Sequence, residues 1–135
     1  MNRLKSLVLI LFLLPFGLGA LPTNQPIEIE NEAILWVSQE HDFGTMRMFD
    51  TEEHSFAFTN TSNNPIVIFN VKGSCGCTAM QWTKTPILPG EKGEVLIKFN
   101  PWKDGVFNKM VTVFTNLEEQ EQLIIKAHVQ GWETR

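Results

Sequence analysis

The chain has 135 residues, 15 of them acidic and 11 basic, for a formal net charge of −4. An acidic balance with no basic stripe excludes a protein that tracks nucleic-acid phosphates, whose footprint is clustered Lys and Arg. Its two cysteines cannot supply the disulfide framework of a small secreted scaffold, and a chain of this length can bury a core without one.

The first twenty residues read as an address. Arg3 and Lys5 precede an apolar run from Leu7 to Leu14, and Pro15, Gly17, Gly19 and Ala20 follow. A basic start, an apolar middle and small residues at the exit make the layout of a secretory signal peptide. The run falls short of the ~20 apolar residues that span a bilayer. Cleavage near Gly19 or Ala20 is therefore expected, leaving an exported protein, periplasmic or extracellular, with no stable membrane anchor. A cut after Ala20 takes the basic count from 11 to 9 against 15 acids, a net charge of −6. Residues 21–33 contain Pro22 and Pro26 and read as a loose leader.

Strand signals fill residues 34–131. Ile34-Leu35-Trp36-Val37 forms a first short strand, and Phe43 is expected to point inward beside a turn at Gly44. From His54 to Asn60 the pattern alternates, with Phe56 and Phe58 on one face, as in a half-buried strand. Thr61 to Pro65 is dense in turn residues, and Ile66 to Val71 is apolar at nearly every position, which suits an interior strand.

Thr78 to Thr83 resumes extended chain, and Leu88-Pro89-Gly90-Glu91 has Pro second and Gly third, the order of a type II turn. Val95, Ile97 and Phe99 share a face of the next strand. Val111 and Val113 share one on the strand from Phe107 to Thr115, and Leu123 to Val129 closes the series. Phe56, Phe58, Val67, Phe69, Val95, Ile97, Phe99 and Val111 are the expected core. With no sustained helical periodicity, about seven antiparallel strands predict an all-β, immunoglobulin-like sandwich.

Several short stretches together resemble one family. They are Asp42-Phe43-Gly44, Phe56-x-Phe58-x-Asn60-Thr61, Ser74-Cys75-Gly76-Cys77-Thr78, Ile87-x-Pro89-Gly90-Glu91-x-Gly93, Gly105-x-Phe107-x-Lys109 and Thr115-Asn116. In this order they resemble the DUF1573 family of exported bacterial domains. The resemblance implies an immunoglobulin-like sandwich akin to modules of cilia-associated proteins, and no assigned activity. Asn63 stands where the family has a turn glycine; Asn tolerates positive φ, so the turn is expected to survive.

The most chemically pointed residues are Cys75 and Cys77. Two apart in a straight strand they share a face but lie too far apart to bridge, so a disulfide needs a contraction that Gly76 can supply. A loop this small would constrain the unfolded chain little, and strain would leave the bridge easily reduced. A second reading takes the pair with Met80 as a soft ligand set for Cu(I), against methionines that merely fill the core. A third is thiol–disulfide exchange, without the Cys-x-x-Cys spacing that usually supports it. Zinc is disfavoured because His41, His54 and His128 are scattered along the sequence.

Trp36 and Trp82 are expected to pack on the core, while Trp102 and Trp132, in a loop and the tail, are candidates for an interaction surface. No hydrolase signature or phosphate-binding loop is present, and no catalytic residue or cofactor is assigned. The reading is a non-enzymatic interaction or structural module at the bacterial cell envelope, its partner an envelope protein or glycan. The alternative is a Cu(I)-binding or redox-responsive protein using the cysteine pair.

Overall fold

A computed structural model describes residues 19, 32–76 and 78–132. The signal peptide apart from Gly19, almost all of the leader, Cys77 and the last three residues lie outside the described residues. Strand β1 (Ile34–Trp36) is followed by β2 (Glu40–Arg47), β3 (Glu52–Asn60) and β4 (Ile68–Gly73). Then come β5 (Thr78–Trp82), β6 (Lys92–Phe99), β7 (Gly105–Thr115) and β8 (Glu121–Gln130). One sheet, A, has the order β1-β3-β6-β5, and the other, B, the order β2-β8-β7-β4.

The core lies between the sheets, where alternation along each strand aims its apolar residues. On β3, Phe56 and Phe58 point inward and are fully buried. Val95, Ile97 and Phe99 on β6 and Val111 and Val113 on β7 are buried too, with Leu123, Ile125, Ala127 and Val129 on β8. Truncating such a phenylalanine removes both its transfer free energy and its packing. The turn before β6 forms as its residues demand: Gly90 has φ +81°, and the Glu91 amide donates to the Leu88 carbonyl at 2.9 Å.

Four expectations need correction. There are eight strands among the described residues, not about seven, and the extra one, β2, pairs in parallel with β8. Gly44 marks no turn between elements. It sits inside β2 at φ +70°, where the register with β8 shifts between Asp42 and Thr45, and its amide donates to the Asp42 carboxylate at 2.8 Å. Phe43 nonetheless packs on the core and stacks on Phe99.

The apolar run after Pro65 is the third case. It leads into β4, an edge strand; Ile66 before it and Ile68 and Val71 within it point inward, whereas Val67 is half-buried and Phe69 is 65% exposed. A register shift between Ile68 and Asn70 resets the alternation, which a continuous apolar run cannot reveal. Last, Asn63 does not carry the turn through positive φ; Phe49 is the single non-glycine described residue with that geometry.

The β3–β4 turn is held instead by Asn60, the one buried polar side chain among the described residues. Its amide donates to the carbonyls of Asn64 and Ile87, both at 2.8 Å, and its Oδ1 accepts from the amide and hydroxyl of Ser62. A buried amide with every donor and acceptor used fixes the ends of two loops in one arrangement.

Candidate functional site

Three places gather chemistry-bearing residues. The cysteine corner joins β4 of sheet B to β5 of sheet A. Pairing of β4 with β7 continues to its tip, where the Ser74 amide donates to the Met110 carbonyl and the Met110 amide to Ser74 Oγ. Cys75 is half-buried against the core and is disulfide-bonded. Cys77, the only other cysteine of the chain, lies outside the described residues. A side chain at Gly73 would meet Thr78 Oγ1 at 2.5 Å and the Met80 methyl at 3.7 Å, so glycine is what lets β5 close on this corner. Met80 is thus brought to the corner from the next strand. A disulfide sulfur is no thiolate, so soft-metal binding here would require prior reduction.

The other methionines divide by position. Met46 is buried, Met48 and Met80 pack on the core from its rim, and Met110 faces out on β7. Trp36 and Trp82 also pack on the core rim, with the Trp36 indole donating to Glu121 and the Trp82 indole to the Ile68 carbonyl. Among the described residues no group of three or more His, Cys, Asp or Glu side chains is placed to hold a metal ion.

The second place is the end of the sandwich formed by the β2–β3 loop, the β6–β7 loop and the residues after β8. Phe49, Trp102 and Trp132 are all exposed there. Phe49 has φ +68°, a left-handed conformation that costs a bulky residue roughly 1 kcal/mol or more. Two loops hold it there. Its amide donates to the Pro101 carbonyl at 2.8 Å, and Asn100 donates both to the Phe49 carbonyl and to Thr51 Oγ1. A cleft of about 740 Å³ opens beside Trp132, with Arg47, Asp104, His128 and Gln130 also in its walls, whereas Phe49 and Trp102 do not line it. Of these residues the sequence singled out Trp102 and Trp132; Phe49 is visible only through its backbone.

The third place was not legible at all. His41 and His54, read as scattered, are stacked face to face with ring centroids 3.6 Å apart and planes 7° from parallel. His41 belongs to β2 of sheet B and His54 to β3 of sheet A, so the stack bridges the two sheets along one open side. Phe43 packs on His41 and Phe56 on His54 with the rings nearly perpendicular, centroids 4.7 Å apart in both pairs. Burial, then the neighbouring His41, hold the His54 pKa below the ordinary imidazole value. No motif spacing encodes this pair, because it depends on how two strands of different sheets are registered.

The comparisons agree with the fold and leave the site open. The family model DUF1573, described as a protein of unknown function, matches residues 34–129. No curated protein matches the sequence. Among solved structures, the chain is similar to a PapD-like domain of human CEP192 (TM-score 0.63, 10% identity, covering 89% of this chain and 99% of that one). It is also similar to the Vibrio cholerae VesB protease (TM-score 0.62, 13% identity), covering 72% of this chain. A Porphyromonas gingivalis protein of unknown function (TM-score 0.60, 16% identity) is matched over 78% of this chain. The chain spans about a third of the protease, 32%, and half of the P. gingivalis chain, 51%. At these identities the likeness is one of fold alone.

Proposed function

The chain belongs to the DUF1573 family, and we propose that it acts without catalysis, as an exported interaction module of the bacterial cell envelope. The observation that carries this reading is the loop end of the sandwich. A folded domain gains nothing internal by exposing Phe49, Trp102 and Trp132 on three neighbouring segments, or by holding Phe49 in an unfavourable backbone conformation. Exposed aromatics at one loop end, one of them lining an open cleft, are what recognition of a protein or glycan uses, because a large ring gives contact area at little entropic cost.

The test compares wild type with a Trp102→Ala plus Trp132→Ala variant as bait on envelope extract. A discrete partner retained by wild type and lost from the variant supports the reading. Equal capture by both, or none by either, overturns it.

A second reading has one observation in its favour. Cys75 is disulfide-bonded at an exposed corner, which suits a redox-responsive element better than a resident Cu(I) site. Titration with a dithiol reductant separates the two. Reduction at mild potentials is the redox outcome, and stoichiometric Cu(I) uptake by reduced protein that fails in Cys75→Ser is the metal one.

A further inference from the structure

We propose that the His41–His54 stack is an acid-sensitive latch, whose protonation drives the two imidazoles apart and frees the β2 edge of sheet B from sheet A.

The argument starts from how β2 is held. It is an edge strand, hydrogen-bonded on one side only, to β8, and that pairing is already interrupted between Asp42 and Thr45. Before it, the chain leaves sheet A after Trp36 and crosses to sheet B, so β1 covers β3 only from Phe58 to Asn60. Past one more bond, from the Val37 amide to the Ala57 carbonyl, the side of β3 facing away from β6 is open, and there the two sheets meet through rings. His41 and Phe43 reach in from β2, and His54 and Phe56 from β3. Phe43 also stacks on Phe99 of β6 at 5.7 Å, so the latch is continuous with the core.

Two neutral imidazoles stacked at 3.6 Å attract each other as other flat rings do. Two imidazolium ions at that separation repel.

The surroundings provide no buried counter-charge. His41 is registered with Ile125 and His54 with Ile97, and the inward residues of β8 and β6 around them are apolar. Lys109 of β7 lies opposite the same Ile125, across β8 from His41, and adds a further cation. On β2, Glu40 is engaged by Lys126 at 2.6 Å, and Asp42 accepts from the Gly44 amide. On β3, Glu53 is paired with Lys98 at 2.7 Å and points to the other face. Glu52, two residues before His54, is exposed to solvent, where its charge is screened. The lowered His54 pKa has the same sign as this inventory.

Hydrogen exchange followed by mass spectrometry, corrected for intrinsic pH effects, tests the latch in the purified protein. Between pH 7.5 and pH 5, peptides from β2 should lose protection by roughly tenfold, while those from β7 keep theirs. A His41→Phe plus His54→Phe variant retains the flat stack without the charge, and its β2 protection should not change with pH. Should that variant fold poorly, His54→Phe alone is the substitute, since one ring cannot repel an uncharged neighbour. Uniform protection of wild-type β2 down to pH 5 overturns the proposal. So does equal loss in wild type and in the Phe variants.

Discussion

The two ends of β3 solve one problem in opposite ways. Its inward face reads His54, Phe56, Phe58 and Asn60, so an apolar centre is flanked by one polar ring and one polar amide. Asn60 is fully buried, with four hydrogen bonds from its side chain to the surrounding loops. It carries no charge at any ordinary pH, so that end is closed unconditionally. His54 is only partly buried, makes ring contacts with His41 and Phe56, and holds its end shut while it is neutral. A satisfied amide specifies a structure, whereas a stacked imidazole pair makes that structure depend on proton concentration.

Breaking the centre that both ends share should have the largest effect. Phe58 is buried, is packed by Trp36 at 4.7 Å, and is so close to Gly93 that an added Cβ there would meet its ring at 2.5 Å. Phe58→Ala should cost ~3–5 kcal/mol in a urea unfolding curve. A loss under ~1 kcal/mol would show that this face is not the core.

Asn60→Ala should come next, at about 2 kcal/mol, because it removes all four side-chain hydrogen bonds that tie the two loops, although the Ile87 carbonyl keeps the Ile66 amide and the Asn64 carbonyl keeps the Ser62 hydroxyl. This cost should be the same at pH 5 and pH 8. Asn60→Asp sharpens the contrast. A buried carboxylate facing two carbonyls would have its pKa raised, so the folded state would hold a proton that the unfolded state releases. That variant's stability should fall as pH rises, which thermal melts across pH 4 to 8 would register.

The wild type should show the opposite slope. The folded-state pKa of His54 lies below its unfolded value of 6.5, so the unfolded chain binds the proton more readily. The stabilisation is complete above pH 6.5 and is lost as pH falls through the lower folded value. Melting temperatures should therefore decline on acidification over that window, and His54→Phe should flatten this part of the curve. A wild-type curve level from pH 7.5 to pH 5 would contradict the assignment.

Cys75→Ser combined with Cys77→Ser should have the smallest effect, about 1 kcal/mol or less, since a bridge between residues so near in sequence restrains the unfolded chain little. A loss above ~3 kcal/mol in the same unfolding assay would make the corner a structural staple.

What the sequence determined by itself follows from local rules. Alternation set the inward faces of β3, β6, β7 and β8, because each is a regular strand with one buried face. The Pro89-Gly90 pair set its turn, and the apolar total required a sandwich once helical periodicity was absent. Where a strand carries a bulge, as at Gly44 and between Ile68 and Asn70, the two-residue period breaks and inward and outward residues exchange. That is why Phe69 was misplaced while Phe58 was not.

Tertiary structure alone decided three further things. The parallel pairing of β2 with β8 joins segments some 80 residues apart. The strain at Phe49 arises where two loops meet. The His41–His54 contact needs the β1–β2 chain to change sheets, so that two residues with no shared strand end 3.6 Å apart. Strand periodicity acts along one chain segment, whereas these contacts depend on register between segments, which no single stretch of sequence contains.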